Sequence, residues 1–228
     1  MRRLTENFWI AEGEPVSFLT LPFTTRMTVA RLANGELWVH SPIRYTDALA
    51  AELATLGPVR YMVAPNRLHH LFLDDWRKHY PDAALYGTGE LARKRTDLSF
   101  DGLLTRDGEY PWSEDIASLL FTGSPAMEEA VFLHRSSRTL IVTDLIENFP
   151  ADTLSWLQRC LARFAGILAP NGRTPIDWRL SFLFGRGRAR ECLRAIESWQ
   201  PERIVLAHGR IVETDAMAFL ERSFRWLR

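Results

Sequence analysis

Histidine and aspartate carry the chemistry of this chain. Of its six histidines, four stand behind short apolar runs: Val39 leads into His40, Ala64 leads through Pro65-Asn66-Arg67-Leu68 into His69-His70, and Ala207 leads into His208-Gly209. In the same way Val142 leads through Thr143 into Asp144. Imidazole nitrogens and a carboxylate oxygen are the donors that a borderline divalent ion such as zinc or iron takes. Any one of these histidines, taken singly, is more ordinary as a strand cap or a partner for a buried carbonyl. Gathered at one place they do little for folding, so their shared position predicts a metal site.

The runs that precede them are rich in branched and aromatic residues and bounded by turn formers, which predicts strands at Leu37-Trp38-Val39, Tyr61-Met62-Val63-Ala64, Ala130-Val131-Phe132-Leu133, Leu140-Ile141-Val142 and Ile204-Val205-Leu206-Ala207. If the strands ahead of the histidines and the aspartate are neighbours running the same way, their C-terminal ends bring His40, His69, His70, Asp144 and His208 into one crevice. Helical patterns fill the intervals. Thr46 to Leu56 opens on a capping threonine and closes at Gly57-Pro58, and Leu73 to Tyr80 stops at Pro81. Thr153 to Leu168 sets Leu154, Leu157, Leu161 and Phe164 on one stripe, Arg188 to Trp199 does the same with Cys192, Leu193 and Ile196, and Thr214 is placed to cap Asp215 to Leu227. Sheets covered by helices in a single domain over 1–228 follow from this order. His79 falls mid-helix, and His134 precedes the hairpin turn Arg135-Ser136-Ser137-Arg138 at the opposite edge, so both read as structural.

Composition narrows the function. The chain has 228 residues, 46% hydrophobic and 25% charged, and its 28 basic residues cancel its 28 acidic ones. No whole-molecule field draws it to nucleic acid or an anionic membrane, so neither is an expected partner. Arg186-Gly187-Arg188-Ala189-Arg190 opens a helix and reads as solvated surface, because it lacks the glycine pattern of a phosphate loop. Cys160 and Cys192 both fall in helical stretches, which implies no disulfide framework and a reducing compartment. Phe8-Trp9-Ile10 is too short for a signal core, and no run reaches the ~20 apolar residues of a membrane helix. The expected setting is cytoplasmic.

The order and spacing of these features resemble the metallo-β-lactamase superfamily of αββα sandwich hydrolases, from the N-terminal strands to His208. In that family a strand delivers a His-x-His-x-Asp-His loop, a later strand ends in an Asp that often bridges two metals, and a near-terminal strand ends in His. Here Asn66 stands at the first motif position, Leu68 at the second, His69 at the Asp and His70 at the last His; Asp144 resembles the bridging Asp, and His208 the final His. The segment that would give the first metal its third histidine is Gly123-Ser124-Pro125. The chain also resembles a branch of this superfamily with such features, marked by Leu-Thr-Glu-Asn-Phe-Trp-Ile at 4–10, by Trp38-Val39-His40-Ser41-Pro42 and by Asp144-Leu145-Ile146-Glu147-Asn148-Phe149.

The resemblance implies a four-layer α/β sandwich and a metal-dependent hydrolase of unknown small-molecule substrate. All ligands of one metal are lost, and His69, His70, Asp144 and His208 remain for a single divalent ion, zinc ahead of iron. Asp144 would also orient the water, and His40 or Asn66 would donate to the developing oxyanion. Glu128 and Glu129 offer an extra oxygen or a base, but such pairs are more often solvated. Four protein ligands fit a closed site better than an open catalytic one, which keeps alive a non-catalytic protein that binds a ligand or partner, and an iron redox site. Loops at Pro15 to Arg26 and Pro170 to Arg190 would set selectivity, with Phe18, Leu19, Leu21, Phe23, Phe182 and Phe184 at an apolar mouth or in a subunit contact. Homo-oligomers are left open.

Overall fold

In the strand Leu37–His40 the side chains alternate between two faces, as a pleat of period two requires: Leu37 and Val39 join one core cluster, and Trp38 joins another. That division recurs and gives the fold its layers. A computed structural model describes residues 1–18 and 21–228. One sheet holds β1 (Arg2–Thr5), β2 (Phe8–Phe18), β3 (Leu21–Arg31), β4 (Leu37–His40), β5 (Val59–Ala64), β6 (Ala84–Thr88) and β7 (Gly102–Leu104) in sequential order. The other holds β8 (Ile116–Phe121), β9 (Glu129–His134), β10 (Thr139–Val142) and β11 (Arg203–Leu206), in the order β11-β10-β9-β8.

Between the sheets, Phe8, Trp38 and Val63 pack with Phe132, Ile141 and Val205. Outside the first sheet, Leu53 of α1 (Asp47–Leu56), Trp76 of α2 (Leu73–His79) and Leu91 of α3 (Gly89–Lys94) cover Val39 and Met62. Outside the second, α6 (Arg186–Ser198) and α7 (Ala216–Ser223) lay Leu193, Ile196 and Leu220 over Val142 and Leu206. The result is the expected αββα sandwich. Two further helices, α4 (Trp156–Ala165) and α5 (Ile176–Ser181), lie between β10 and α6 in the chain. Among the described residues no helix is long and apolar enough to cross a membrane.

The strands that precede the histidines are two parallel pairs rather than one set. β4 pairs parallel with β5 in the first sheet, and β10 with β11 in the second. Since the pairs lie in facing sheets, the loops after β5, β10 and β11 meet across one edge of the sandwich. His134 pairs with Thr139 at the start of β10, which puts it at the other edge, and His79 stacks on Tyr45 at 3.7 Å.

Three local expectations change. Residues 15–18 and 21–26 belong to the antiparallel strands β2 and β3, not to a loop: Val16 faces Phe23 across the β2–β3 pair, with an irregularity between Gly13 and Val16. The β-branched Thr24, Thr25 and Thr28 suit a paired strand. Leu19 lies outside the described residues, as do the side chains of Phe18 and Leu21. The helix expected over Thr153 to Leu168 is shorter, because Ser155 and Gln158 form a reciprocal capping box and Gly166 ends it at φ 82°. Thr214 does not cap α7; Asp215 precedes it at φ 54° with no side-chain cap bond.

Candidate metal centre

The centre is assembled by buried polar groups that bind backbone. Behind β5, Pro65 ends the ladder and the fully buried Asn66 takes over. Its Oδ1 accepts the N–H groups of Leu68 at 2.8 Å and His69 at 3.2 Å, a side-chain-built turn that swings His69 back over the sheet edge. Its Nδ2 donates to Asp144 Oδ2 at 2.7 Å, Thr143 Oγ1 at 3.0 Å and Glu129 Oε2 at 3.1 Å. Behind β10, Glu129 collects the N–H of Thr143 on Oε1 and those of Asp144 and Leu145 on Oε2, at 2.8 to 3.0 Å. Asn66 and Glu129 thus clamp the Asp144 turn from two sides.

The third arm comes from β11. Gly209 has φ 86°, and a Cβ there would meet the Asn148 carbonyl oxygen at 2.2 Å, so only glycine lets the chain turn after His208. The guanidinium of Arg26 holds this turn by donating to the carbonyls of Leu206 and Gly209 while its Nε pairs with Glu12 at 2.8 Å. Thr24 completes it: its Oγ1 accepts from the Gly209 N–H at 3.1 Å, and its carbonyl oxygen lies 2.6 Å from His208 Nδ1.

These elements place His69 Nε2 3.2 Å from Asp144 Oδ2 and His208 Nε2 3.1 Å from Asp144 Oδ1, and one donor atom from each residue lies within 4.8 Å of the others. A carbonyl oxygen only accepts, so His208 carries its proton on Nδ1. A neutral ring then aims the Nε2 lone pair at a carboxylate oxygen, which repels unless something positive lies between them. A metal ion or a second proton meets that demand. Donors around a tetrahedral ion at 2.0–2.1 Å stand about 3.4 Å apart, close to the distances present, so the donor set fits a divalent cation. The second nitrogen of His69 is held too, with Nδ1 2.6 Å from Ser41 Oγ. Ring orientation by such partners is usual at metal sites.

The electrostatics agree. Burial alone would raise the Asp144 carboxyl, but the charges and hydrogen bonds of His69 and His208 hold it well below the usual carboxylate range. Burial, and then the Asp144 charge, push Glu129 up to about 7 against the N–H donors that favour its ionised form. Burial, then Asp144, Asp177 and Glu129, keep Glu147 well above its ordinary value.

Of the residues expected at the site, His69, Asp144 and His208 come together. His70 does not. Its Nδ1 lies 3.1 Å from Arg95 Nη1; a guanidinium only donates, so that nitrogen is an acceptor and a neutral ring bears its proton on Nε2, which removes both as ligands. Asn66 is corrected from an oxyanion donor to a positioning residue, because its amide is spent on Asp144, Thr143 and Glu129. His40 is corrected likewise. It faces between the sheets, stacked on Trp38 at 5.4 Å, with both ring nitrogens buried and without a partner among the described residues. Of the acidic pair, Glu129 is fully buried scaffold, while Glu128 is partly exposed.

Sequence reasoning missed Ser41, Thr24, Arg26 and Glu147. Ser41 carried a signal, since it closes a strand between His40 and Pro42; a backbone carbonyl such as that of Thr24 carries none. A cavity of about 550 Å³ opens over the centre, within the range of small-molecule sites. Its polar lining includes His69, Asp144, His208 and Glu147 together with His70, Lys94 and Asp177, and Phe23, Leu71, Phe72, Ile176 and Trp178 are part of its apolar wall. Of the other residues expected at its mouth, Phe182 is buried in the core and Phe184 is fully exposed.

Solved structures share this fold at low identity. A metallo-β-lactamase from Hirschia baltica superposes with a TM-score of 0.65 at 14% identity, covering 100% of this chain and 96% of its own. One from Pontibacter korlensis gives 0.66 at 11%, covering 99% and 97%, and the enzyme FIM-1 from Pseudomonas aeruginosa in its mono-zinc form gives 0.60 at 12%, covering 99% and 92%. The fold is therefore that of the metallo-β-lactamases. No curated protein matches the chain in sequence. Residues 6–160, well over half of the chain, match the family model described as a domain of unknown function, DUF4336; β5, β10, the clamping Asn66 and the Asp144 turn lie within that match and β11 with His208 lies beyond it, and the chain belongs to the DUF4336 family.

Proposed function

We propose that the protein is a metal-dependent hydrolase in which His69, Asp144 and His208 hold one divalent cation, zinc ahead of iron, beneath a largely apolar substrate cavity. The observation that carries this reading is His208, whose Nε2 converges with the Asp144 carboxylate and His69 Nε2 on one point. Three protein donors are also the number at catalytic zinc, where a further position stays open. With His70 engaged by Arg95, the objection that four ligands would close the site falls away.

A divalent cation bound there supplies Lewis acidity and a water acidified to a pKa of about 7. The chain's own residues do the rest. Ser41 and the Thr24 carbonyl fix the two rings, and Asn66 and Glu129 fix the carboxylate. Apolar walls exclude bulk water, which strengthens the electrostatics inside. Glu147 lines the cavity, and burial followed by the Asp144 charge favours its protonated form; it would give that proton to the leaving group as water adds and the bond to an ester, thioester, amide or phosphoester breaks, and would regain a proton from that water.

Metal analysis of protein purified without chelator tests the first step: one ion per chain is expected, and well under one after metal-supplemented growth overturns the proposal. A panel of chromogenic esters, thioesters, lactams and phosphodiesters should then show turnover that chelation abolishes and metal restores. Metal-loaded protein inert on the whole panel favours a binding role. Two imidazoles and one carboxylate are also the donor set of non-haem iron sites, so iron in the metal analysis, with a visible absorption band, would replace hydrolysis by redox chemistry.

A further inference from the structure

The helix α4 is amphipathic with its apolar face turned outward. Trp156, Leu157, Leu161 and Phe164 recur at the spacing of one helical face, yet Trp156 is 77% exposed and Phe164 75% exposed, and Leu157 and Leu161 are exposed as well. Cys160, on the same face, is also exposed. The helix rests on the body through its small side, with Ala162 buried and Ala165 partly so. The adjoining segment is tied to the end of α4 by Arg179 Nη2 donating to the Ala165 carbonyl at 3.3 Å, and it exposes Leu180, Leu183 and Phe184. A monomer in water rarely displays so much apolar surface on consecutive turns without using it.

The charges around this face identify what covers it. From residue 153 to 175 the chain has three arginines, Arg159, Arg163 and Arg173, and no aspartate or glutamate. All three are exposed, and among the described residues none forms an ion pair. The chain as a whole is neutral, so the positive charge is local. A second copy on a two-fold axis would set this patch against itself, bringing arginines against arginines with no acid to pair them. A layer of anionic lipid headgroups over an acyl interior answers both features at once: Trp, Leu and Phe sink to the headgroup boundary and the arginines meet phosphates. The position is also consistent with use, since Ala165 at the end of α4 and Ile167 just after it line the cavity over the metal centre.

We propose that α4 docks the protein on the surface of anionic membranes, lying in the interface plane with Trp156, Leu157, Leu161 and Phe164 inserted. This reading stands apart from the hydrolase proposal and needs no bound metal. It amends the expectation from net charge alone that a membrane is no partner.

Cosedimentation of the full chain with vesicles of phosphatidylcholine, with and without 30% phosphatidylglycerol, tests it. Binding at least tenfold stronger to the anionic vesicles is expected, weakening in high salt. Trp156→Ser with Phe164→Ser should abolish it and leave the thermal midpoint unchanged, because neither side chain is buried. Arg159→Glu with Arg163→Glu should erase the preference for anionic lipid. A fluorophore on the exposed Cys160 reports the same event in the intact fold by a blue shift on anionic vesicles. Absence of vesicle binding by the wild-type chain overturns the proposal, as does a concentration-dependent dimer in sedimentation that the serine variants dissolve, which would assign the face to a second copy.

Discussion

His208 donates from Nδ1 to the Thr24 carbonyl at 2.6 Å and turns its Nε2 toward Asp144 Oδ1 at 3.1 Å. One hydrogen bond to β3 thereby places the proton of a neutral His208 on Nδ1 and leaves Nε2 for the centre. The carboxylate is the common element, since both rings face its two oxygens. Asp144→Ala is therefore expected to abolish binding of zinc in titration calorimetry. The wild-type midpoint should rise with added zinc, by the equivalent of about 4 kcal/mol when free metal is a thousandfold above its dissociation constant, and the variant's should not move. Metal retained by the folded variant would show that the ligands lie elsewhere.

Ser41→Ala isolates ring orientation from ligation. Ser41 Oγ lies 2.6 Å from His69 Nδ1 and touches no other donor of the centre. Partners of this kind commonly contribute 10- to 100-fold in metal affinity, so zinc affinity should fall by that factor with the fold intact. Unchanged affinity in a competition assay against a chelator would remove Ser41 from the centre.

How far the chain could be read in advance follows from which interactions are local. The strands before His40, His69, Asp144 and His208 show themselves as branched apolar runs, and their order matches an αββα sandwich, so architecture was legible. So was the trio of donors, because each stands just past the end of a strand. The assignment of His70 failed for a reason of geometry: neighbouring residues on a turn point apart, and the partner that claims His70 is Arg95, 25 residues on. His40 is the last residue of β4, and the pleat turns it inward beside Trp38. Glu129 looked like half of a solvated pair, and only tertiary contact reveals the backbone N–H groups of the Asp144 turn that it binds. The outward face of α4 was visible as a stripe, yet periodicity does not say whether a stripe is covered.

Glu129→Gln should be far more damaging than its size suggests. Both carboxylate oxygens receive backbone N–H groups, Oε1 from Thr143 and Oε2 from Asp144 and Leu145. An amide placed either way sets its NH₂ against a donor, leaving buried groups unsatisfied at about 1–3 kcal/mol each. Urea denaturation should show a loss of about 2–4 kcal/mol and weaker metal binding. A variant as stable as wild type would mean that the turn is not held from Glu129.

Two buried imidazoles make the fold sensitive to acid. Burial lowers His40 well below its ordinary value, with His69 adding to it, and brings His134 down to about 4. The folded state thus prefers both rings neutral, whereas the unfolded chain takes up protons near 6.5. Stability is complete above that value and falls as pH drops from about 6.5 toward 4. Denaturant midpoints at pH 7.5 and 5 should differ accordingly, and His40→Phe, which keeps the stack on Trp38 and removes two unpartnered nitrogens, should narrow the gap without loss of metal. If the metal-loaded His40→Phe protein is folded but inactive, the ring has a catalytic duty after all.

Glu147 joins stability to the proposed chemistry. It is buried, its Oε2 has no partner among the described residues, and its residue lines the cavity beside Asp144. Its carboxyl titrates well above the ordinary 4.5, with burial the chief cause. The fold therefore favours the protonated form; the unfolded chain releases that proton near 4.5, so this residue costs stability as pH rises past 4.5. Glu147→Gln keeps the shape without the proton to lose, and at pH 8 it should be at least as stable as wild type. If Glu147 protonates the leaving group, the same variant should lose about 10²- to 10⁴-fold in kcat on esters of poorly leaving alcohols. It should lose far less on p-nitrophenyl esters, whose leaving group needs little help, with metal content unchanged in both cases. An equal loss on both substrates would make Glu147 a structural or binding group, and a stability deficit at pH 8 would mean that its carboxylate, not its acid, is what the fold holds.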